Sequence, residues 1–159
     1  DAAKSLFNIA TNSATMAFWV WNSNVMSANA GDLASSDRDD ANGHRISWAN
    51  TGRIDWNTDS QSRVLNSSYN LSESTWYNIV CTLDVSIKHL YINGVLNGSQ
   101  ASGGQHVQYD RNANFGNLNG LSAGYAFKGY IASIIYYTTA LTAAEVLHNF
   151  TVERNRFGI

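Results

Sequence analysis

A chain of 159 residues with ten basic and twelve acidic side chains carries a formal charge of −2, and its cations are scattered, so no basic patch is available to hold a phosphate backbone and no nucleic-acid partner is expected. The length fits one domain that buries roughly two thirds of its unfolded surface without a metal or disulfide, and a single cysteine rules out any internal disulfide. Proline is absent, so the turns fall to pairs such as Asn42-Gly43, Asn93-Gly94 and Gly103-Gly104. No run approaches the roughly 20 apolar residues of a membrane span.

The opening DAAKSLFNIA lacks the charged-then-apolar layout of a signal peptide. Residues 15–21 (TMAFWVW) place Met16, Phe18 and Val20 on one face of a strand and Ala17, Trp19 and Trp21 on the other, a pattern expected of a strand covered on both sides. Residues 44–48 and 53–56 read as two short strands around Asn50-Thr51-Gly52, a three-residue hairpin loop with a glycine bulge. Residues 76–83 and 88–92 alternate with period two and end in Asn93-Gly94, a pair that favours a tight hairpin turn. Within this run Cys81 occupies an alternating position, where a small buried hydrophobe is expected. The stretch 115–121 is ambiguous, whereas 127–137 (FKGYIASIIYY) reads as a long strand.

One helix follows. In LTAAEVLHNF, Thr142 can cap the first turn while Glu145 reaches back to the cap's own N–H, and Val146, Leu147 and Phe150 give an apolar face. Strand after strand at about ten-residue spacing predicts an all-β, antiparallel jelly-roll sandwich of two sheets, with one short C-terminal helix and a single domain over 1–159.

Five segments in order carry a resemblance: Phe18-Trp19-Val20; Trp76-Tyr77-Asn78-Ile79-Val80; Leu90-Tyr91-Ile92-Asn93-Gly94; Phe127-Lys128-Gly129-Tyr130-Ile131; and Tyr136 with Ala140-Leu141-Thr142 and Glu145. Together they resemble the concanavalin A-like lectin/glucanase superfamily in its laminin-G-like form, over nearly the whole chain. The ending, a capped helix and then Asn155-Arg156-Phe157-Gly158-Ile159, resembles more narrowly the laminin-G-like domains at the C-termini of virion proteins. Family members usually begin with a strand containing Phe-Asp-Gly, and only DAAKSLFNI precedes the run at 15–21. The resemblance therefore implies that the usual first strand is lacking and that an open sheet edge is left for another virion protein or a second copy.

Glucanases of this superfamily use two glutamates separated by an aspartate on one strand, one to attack and one to donate a proton. Glu73, Glu145 and Glu153 are the only glutamates and none has such a partner, so no enzyme activity is expected. Asp37, Asp39, Asp40 and Asn42 are hard oxygen ligands beside a glycine turn, and laminin-G-like domains often carry calcium at a loop rim, so the resemblance implies a calcium site there. The spacing does not fit an EF-hand, and a solvated hairpin turn is the alternative. His44, His89, His106 and His148 are too far apart for a zinc motif.

Flat aromatic faces stack on sugar rings while Asn and Asp bond the hydroxyls. Trp48 and Trp56 flank the loop around Gly52, with Asn50, Asn57 and Asp59 nearby, and form the candidate glycan site; the alternative is that the two rings pack across the hairpin and stabilise the sheet. Trp19 and Trp76 match core positions of the resembled family. Two functions stand open: a virion structural or attachment module of capsid-decoration or fibre type that contacts host glycans, or a carbohydrate-binding, lectin-like domain of a larger secreted or surface protein. Either is expected on a virion surface or outside the cell.

Overall fold

The computed structural model describes residues 13–23, 31–36, 44–58, 64–85, 87–102, 113–117 and 123–159. Among the described residues ten strands form two antiparallel sheets: β1 (Ala14–Asn22), β2 (Gly31–Ser35), β3 (Arg45–Trp48), β4 (Ile54–Asn57), β5 (Val64–Asn66), β6 (Trp76–Asp84), β7 (Ile87–Ile92), β8 (Val95–Ala101), β9 (Asn114–Phe115) and β10 (Gly129–Tyr137). The first sheet has the order β10-β1-β6-β7-β8 and the second β5-β4-β3-β2-β9. A helix, α1 (Ala143–Glu153), follows β10. The expected sandwich with one C-terminal helix is therefore present. The strands β2, β5 and β8 were not legible in the sequence, because GDLAS, VLN and VLNGSQA are short or rich in Gly, Asn and Ser, residues of low strand preference.

The core lies between the sheets. Met16, Phe18 and Val20 of β1 join Ile79, Cys81 and Leu83 of β6 and Leu90 and Ile92 of β7, facing Leu33, Ile46, Trp48, Ile54, Trp56 and Leu65 from the second sheet. Cys81 is buried and its thiol is pushed far above its ordinary pKa, first by burial, with Lys88 opposing. It is thus a packing residue with no thiolate at neutral pH. Lys88 is itself fully buried; its Nζ donates to Thr58 Oγ1 at 3.1 Å and lies 5.5 Å from the Trp56 ring.

The outer face of the first sheet is covered as well. Thr142 and Glu145 form the expected capping box at the start of α1, and two bonds of 2.9 Å, from Thr15 Oγ1 to Thr139 O and from Leu141 N–H to Thr15 Oγ1, moor the approach to the helix onto β1. Val146 packs on Val80 and Tyr91. Trp19 stacks against Phe157 at 4.0 Å and Phe150 at 5.9 Å, and its indole N–H donates to Glu153. The two-sided covering expected of β1 is observed.

Asn93 (φ 51°) and Gly94 (φ 76°) form the turn between β7 and β8. Left-handed backbone at both central residues is the type I′ geometry that suits the twist of a hairpin. A Cβ on Gly94 would lie 2.9 Å from Phe150 Cδ1, so the turn also abuts the helix. Gly129 answers a different need, since a Cβ there would meet the Trp21 carbonyl oxygen at 2.0 Å, inside the β1–β10 pairing.

Among the described strands β10 ends the first sheet. Residues 1–12, on which the expectation of a missing first strand and an open edge depends, lie outside the described residues.

Two predictions follow from the packing. Gly94→Ala adds left-handed strain and a clash with Phe150, and is expected to cost about 2 kcal/mol in urea unfolding, whereas Gly98→Ala, which would approach a Leu65 methyl at 3.1 Å and the Asn66 carbonyl oxygen at 3.4 Å, costs less. Trp48→Ala empties a fully buried site and is expected to cost about 3–5 kcal/mol by the same measurement.

Candidate binding face on the second sheet

Alternation decides where side chains of the second sheet point. Ile46, Trp48, Ile54 and Trp56 face the core, so the intervening Arg45, Ser47, Asp55 and Asn57 face outward. Pairing sets them in rows. Asp32 of β2 stands opposite Ser47, Ser47 opposite Asp55, and Asp55 opposite Asn66; one step along, Arg45 stands opposite Asn57. Four neighbouring strands thereby contribute a continuous patch of polar groups.

Within the patch the Arg45 guanidinium reaches Asp32, with Nε donating to Oδ1 at 2.8 Å and Nη2 at 2.7 Å from the same oxygen. The guanidinium also lies 5.3 Å from the ring of Tyr125, on a single 3₁₀ turn (Ala123–Tyr125). Asp32 is fully buried and Arg45 keeps a quarter of its side chain exposed. Asn66 Nδ2 donates to Asp55 Oδ1 at 2.6 Å. Burial raises the Asp55 pKa, and the Asn66 bond and the charges of Arg45 and Arg53 oppose it. Ser47 Oγ and Asn57 Oδ1 are buried without a hydrogen-bond partner from the protein. The patch thus combines a carboxylate, an amide, a guanidinium and an aromatic ring with hydrogen-bonding capacity that the chain itself leaves unused.

At the adjoining strand ends a cleft of about 470 Å³ opens between the β3–β4 loop and residues 70–73, lined by Asn22, Asn50, Asn70, Ser72 and Glu73 together with Trp48 and Leu71. The loop is the expected one: Gly52 has φ 85° and its N–H bonds to Ala49 O at 2.9 Å.

The structure divides the predicted glycan site. Trp48 and Trp56 are 1% and 3% exposed; Tyr77 meets the Trp48 ring edge-on at 5.8 Å, and Lys88 lies over Trp56. These rings cannot serve as stacking platforms, and the expectation that they do is corrected: their period-two positions turn them into the core with Ile46 and Ile54. Asn57 lies on the polar patch and Asn50 in the cleft. Asp59 is outside the described residues, as are the calcium candidates Asp37, Asp39, Asp40 and Asn42. Among the described residues no group of three or more His, Cys, Asp or Glu side chains could hold a metal ion. Arg45, Ser47 and Asp55 escaped sequence reasoning because the tryptophans drew it, and assigning the tryptophans inward would have pointed the same alternation to all three; Asn66 joins them only through the pairing of β4 with β5.

The family pattern described as the concanavalin A-like lectin/glucanases superfamily matches residues 2–147. The chain belongs to this superfamily. No curated protein matches it in sequence. Among solved structures, it is similar to the CBM40 of a Ruminococcus gnavus IT-sialidase bound to alpha2,3 sialyllactose, with 16% identity, a TM-score of 0.72, and coverage of 89% of this chain and 84% of that one. It is similar to the receptor binding domain of botulinum neurotoxin D, with 18% identity and a TM-score of 0.67, covering 89% of this chain but only 37% of that one. A heptameric SAP-like pentraxin from Limulus polyphemus shares 16% identity at a TM-score of 0.65, over 86% of this chain and 68% of that one. At these identities the likeness is one of fold.

Proposed function

We propose that this domain is a non-catalytic carbohydrate-recognition module and that the outward patch of the second sheet is its saccharide-binding face. The observation that carries the reading is the cross-strand set Arg45, Ser47, Asp55, Asn57 and Asn66, in which buried polar atoms keep hydrogen-bonding capacity free beside an aromatic ring. Planar amides, carboxylates and guanidinium groups match the paired hydroxyls of a sugar, and Tyr125 offers the flat surface that Trp48 and Trp56 do not. Membership of a lectin and glucanase superfamily supports the reading, as does the sialyllactose-bound structural relative. No described glutamate has a second acid in the glucanase relation, which supports the non-catalytic part. Display outside the cell, on a secreted or surface protein or on a virion, follows from this role. The virion context and self-association beside β10 rest on the sequence resemblance alone; sedimentation as a monomer at high concentration would remove the second.

A glycan array followed by calorimetry tests the face. Asp55→Asn combined with Asn57→Ala is expected to weaken binding of the parent's best glycan at least tenfold, about 1.4 kcal/mol, with folding retained by circular dichroism. Equal binding by parent and variant would overturn the assignment.

The pH dependence has a defined sign. With its folded pKa raised above 3.8, Asp55 favours the folded state when protonated, so its contribution to stability is present at low pH and is lost as pH rises through the folded value. A glycan that bonds the carboxylate competes with protonation, so affinity is expected to fall on acidification, beginning above the pH of an ordinary aspartate. Asp55→Asn should flatten that profile, which titration calorimetry at a series of pH values would measure.

A further inference from the structure

A second cavity lies on the opposite side of the molecule, between the outer face of the first sheet and α1. It measures about 130 Å³ and opens to solvent. Ala17, Val80, Ile135 and Val146 make much of its wall apolar, and Asn78 and Glu153 bring polar atoms into it. A cavity of this size is close to the roughly 150 Å³ that admits benzene in a protein core.

Ser133, His148 and Asn149 also line the wall, and among its polar groups Asn78 and Glu153 keep acceptor capacity. Asn78 is 5% exposed and its Oδ1 has no hydrogen-bond partner from the protein. Its other groups are committed: Nδ2 donates to Phe18 O at 3.4 Å, the backbone N–H donates to Asn93 Oδ1 at 2.9 Å, and the backbone carbonyl accepts from Asn93 N–H at 2.9 Å. The side chain is held with its acceptor unanswered. Glu153 accepts from the Trp19 indole N–H, which uses one of the roughly four lone-pair sites of a carboxylate. Tyr137, also on the wall, has its hydroxyl oxygen bonded by Asn149 Nδ2 at 3.4 Å. The site therefore presents a neutral acceptor and an anionic one above an apolar floor.

We propose that this cavity binds a primary ammonium group carried on a small apolar body, as in an arylalkylamine. The ammonium, with three donors and no acceptor, answers Asn78 Oδ1 and the Glu153 carboxylate together, while the ring occupies the space among Ala17, Val80 and Val146. A carboxylate ligand would be repelled by Glu153, and a hydrocarbon of equal size would leave Asn78 unanswered. The proposal is independent of the saccharide face, which lies on the other sheet.

Benzylamine is the probe, followed by the amide and indole resonances of the intact domain, with toluene and benzoate as comparators. Benzylamine is expected to bind saturably at low-millimolar concentration or tighter, shifting the Trp19 indole and Asn78 side-chain signals. Glu153→Gln keeps an acceptor for Trp19 and removes the charge, and should weaken benzylamine at least fivefold; Ser133→Leu, which fills the cavity from the β10 side, should abolish saturation. Three results would overturn the proposal: no saturation, as for a cavity that holds only water; equal binding of toluene or benzoate; or unchanged benzylamine binding in the cavity-filling variant.

Discussion

Occupation of both faces of the first sheet is the constraint on which the other features depend. β1 runs between β10 and β6, sends Met16, Phe18 and Val20 into the sandwich, and on its other side holds Trp19 against Phe150 and Phe157. With α1 and the closing turn packed on that outer surface, Trp19, Val80 and Tyr91 are buried beneath them. The division of residue types follows. The outer side of the first sheet carries Trp19, Val80 and Tyr91 beneath the helix, whereas the outer side of the second carries Arg45, Ser47, Asp55 and Asn57.

The turn at Asn93-Gly94 joins the two levels of this arrangement. Locally it is a hairpin that needs left-handed backbone at two successive residues. In the packing it is the place where lack of a Cβ lets Phe150 approach, and Asn93 in turn bonds the backbone of Asn78 through its side chain and its own N–H. One dipeptide thus sets a register, seats the helix and fixes Asn78, a residue that lines the cavity under α1. Its chemistry is more constrained than that of a solvent-exposed hairpin, where Asn-Gly would serve the turn alone.

Much of the fold was legible in the sequence because the strands that form its centre alternate cleanly: TMAFWVW and WYNIVCTL each fall within an observed strand, and the capping box of Thr142 and Glu145 is present. The edges were less so. Beside the β9 edge, GDLAS forms a strand of the second sheet despite residues of low strand preference, since tertiary pairing with β3 overrides local preference. The binding face was half legible. Asn57 was named for its proximity to tryptophan, and lies on the patch for a different reason: it alternates with Trp56 and so points the opposite way. Asp32 and Asn66 come from strands that were not recognised, and no spacing along the chain shows that they meet Ser47 and Asp55. Cross-strand neighbours are a property of register, which sequence alternation leaves open.

The polar atoms left without protein partners sharpen the contrast between packing and binding. A buried acceptor or hydroxyl that makes no hydrogen bond costs about 1–3 kcal/mol, and Ser47, Asn57 and Asn78 each contain one. Other buried polar groups are answered closely: Lys88, wholly buried, is bonded to Thr58 and lies against Trp56, and Thr15 both donates and accepts at the entry to the helix. A sequence that satisfies a buried ammonium could satisfy a serine hydroxyl, or replace it with alanine at little structural loss. Gln100 Oε1 is a fourth unanswered group, and all four are enclosed by the protein. On the proposed readings a ligand hydroxyl or ammonium that displaces the enclosing groups would supply the missing bond at Ser47, Asn57 or Asn78 and offset that cost.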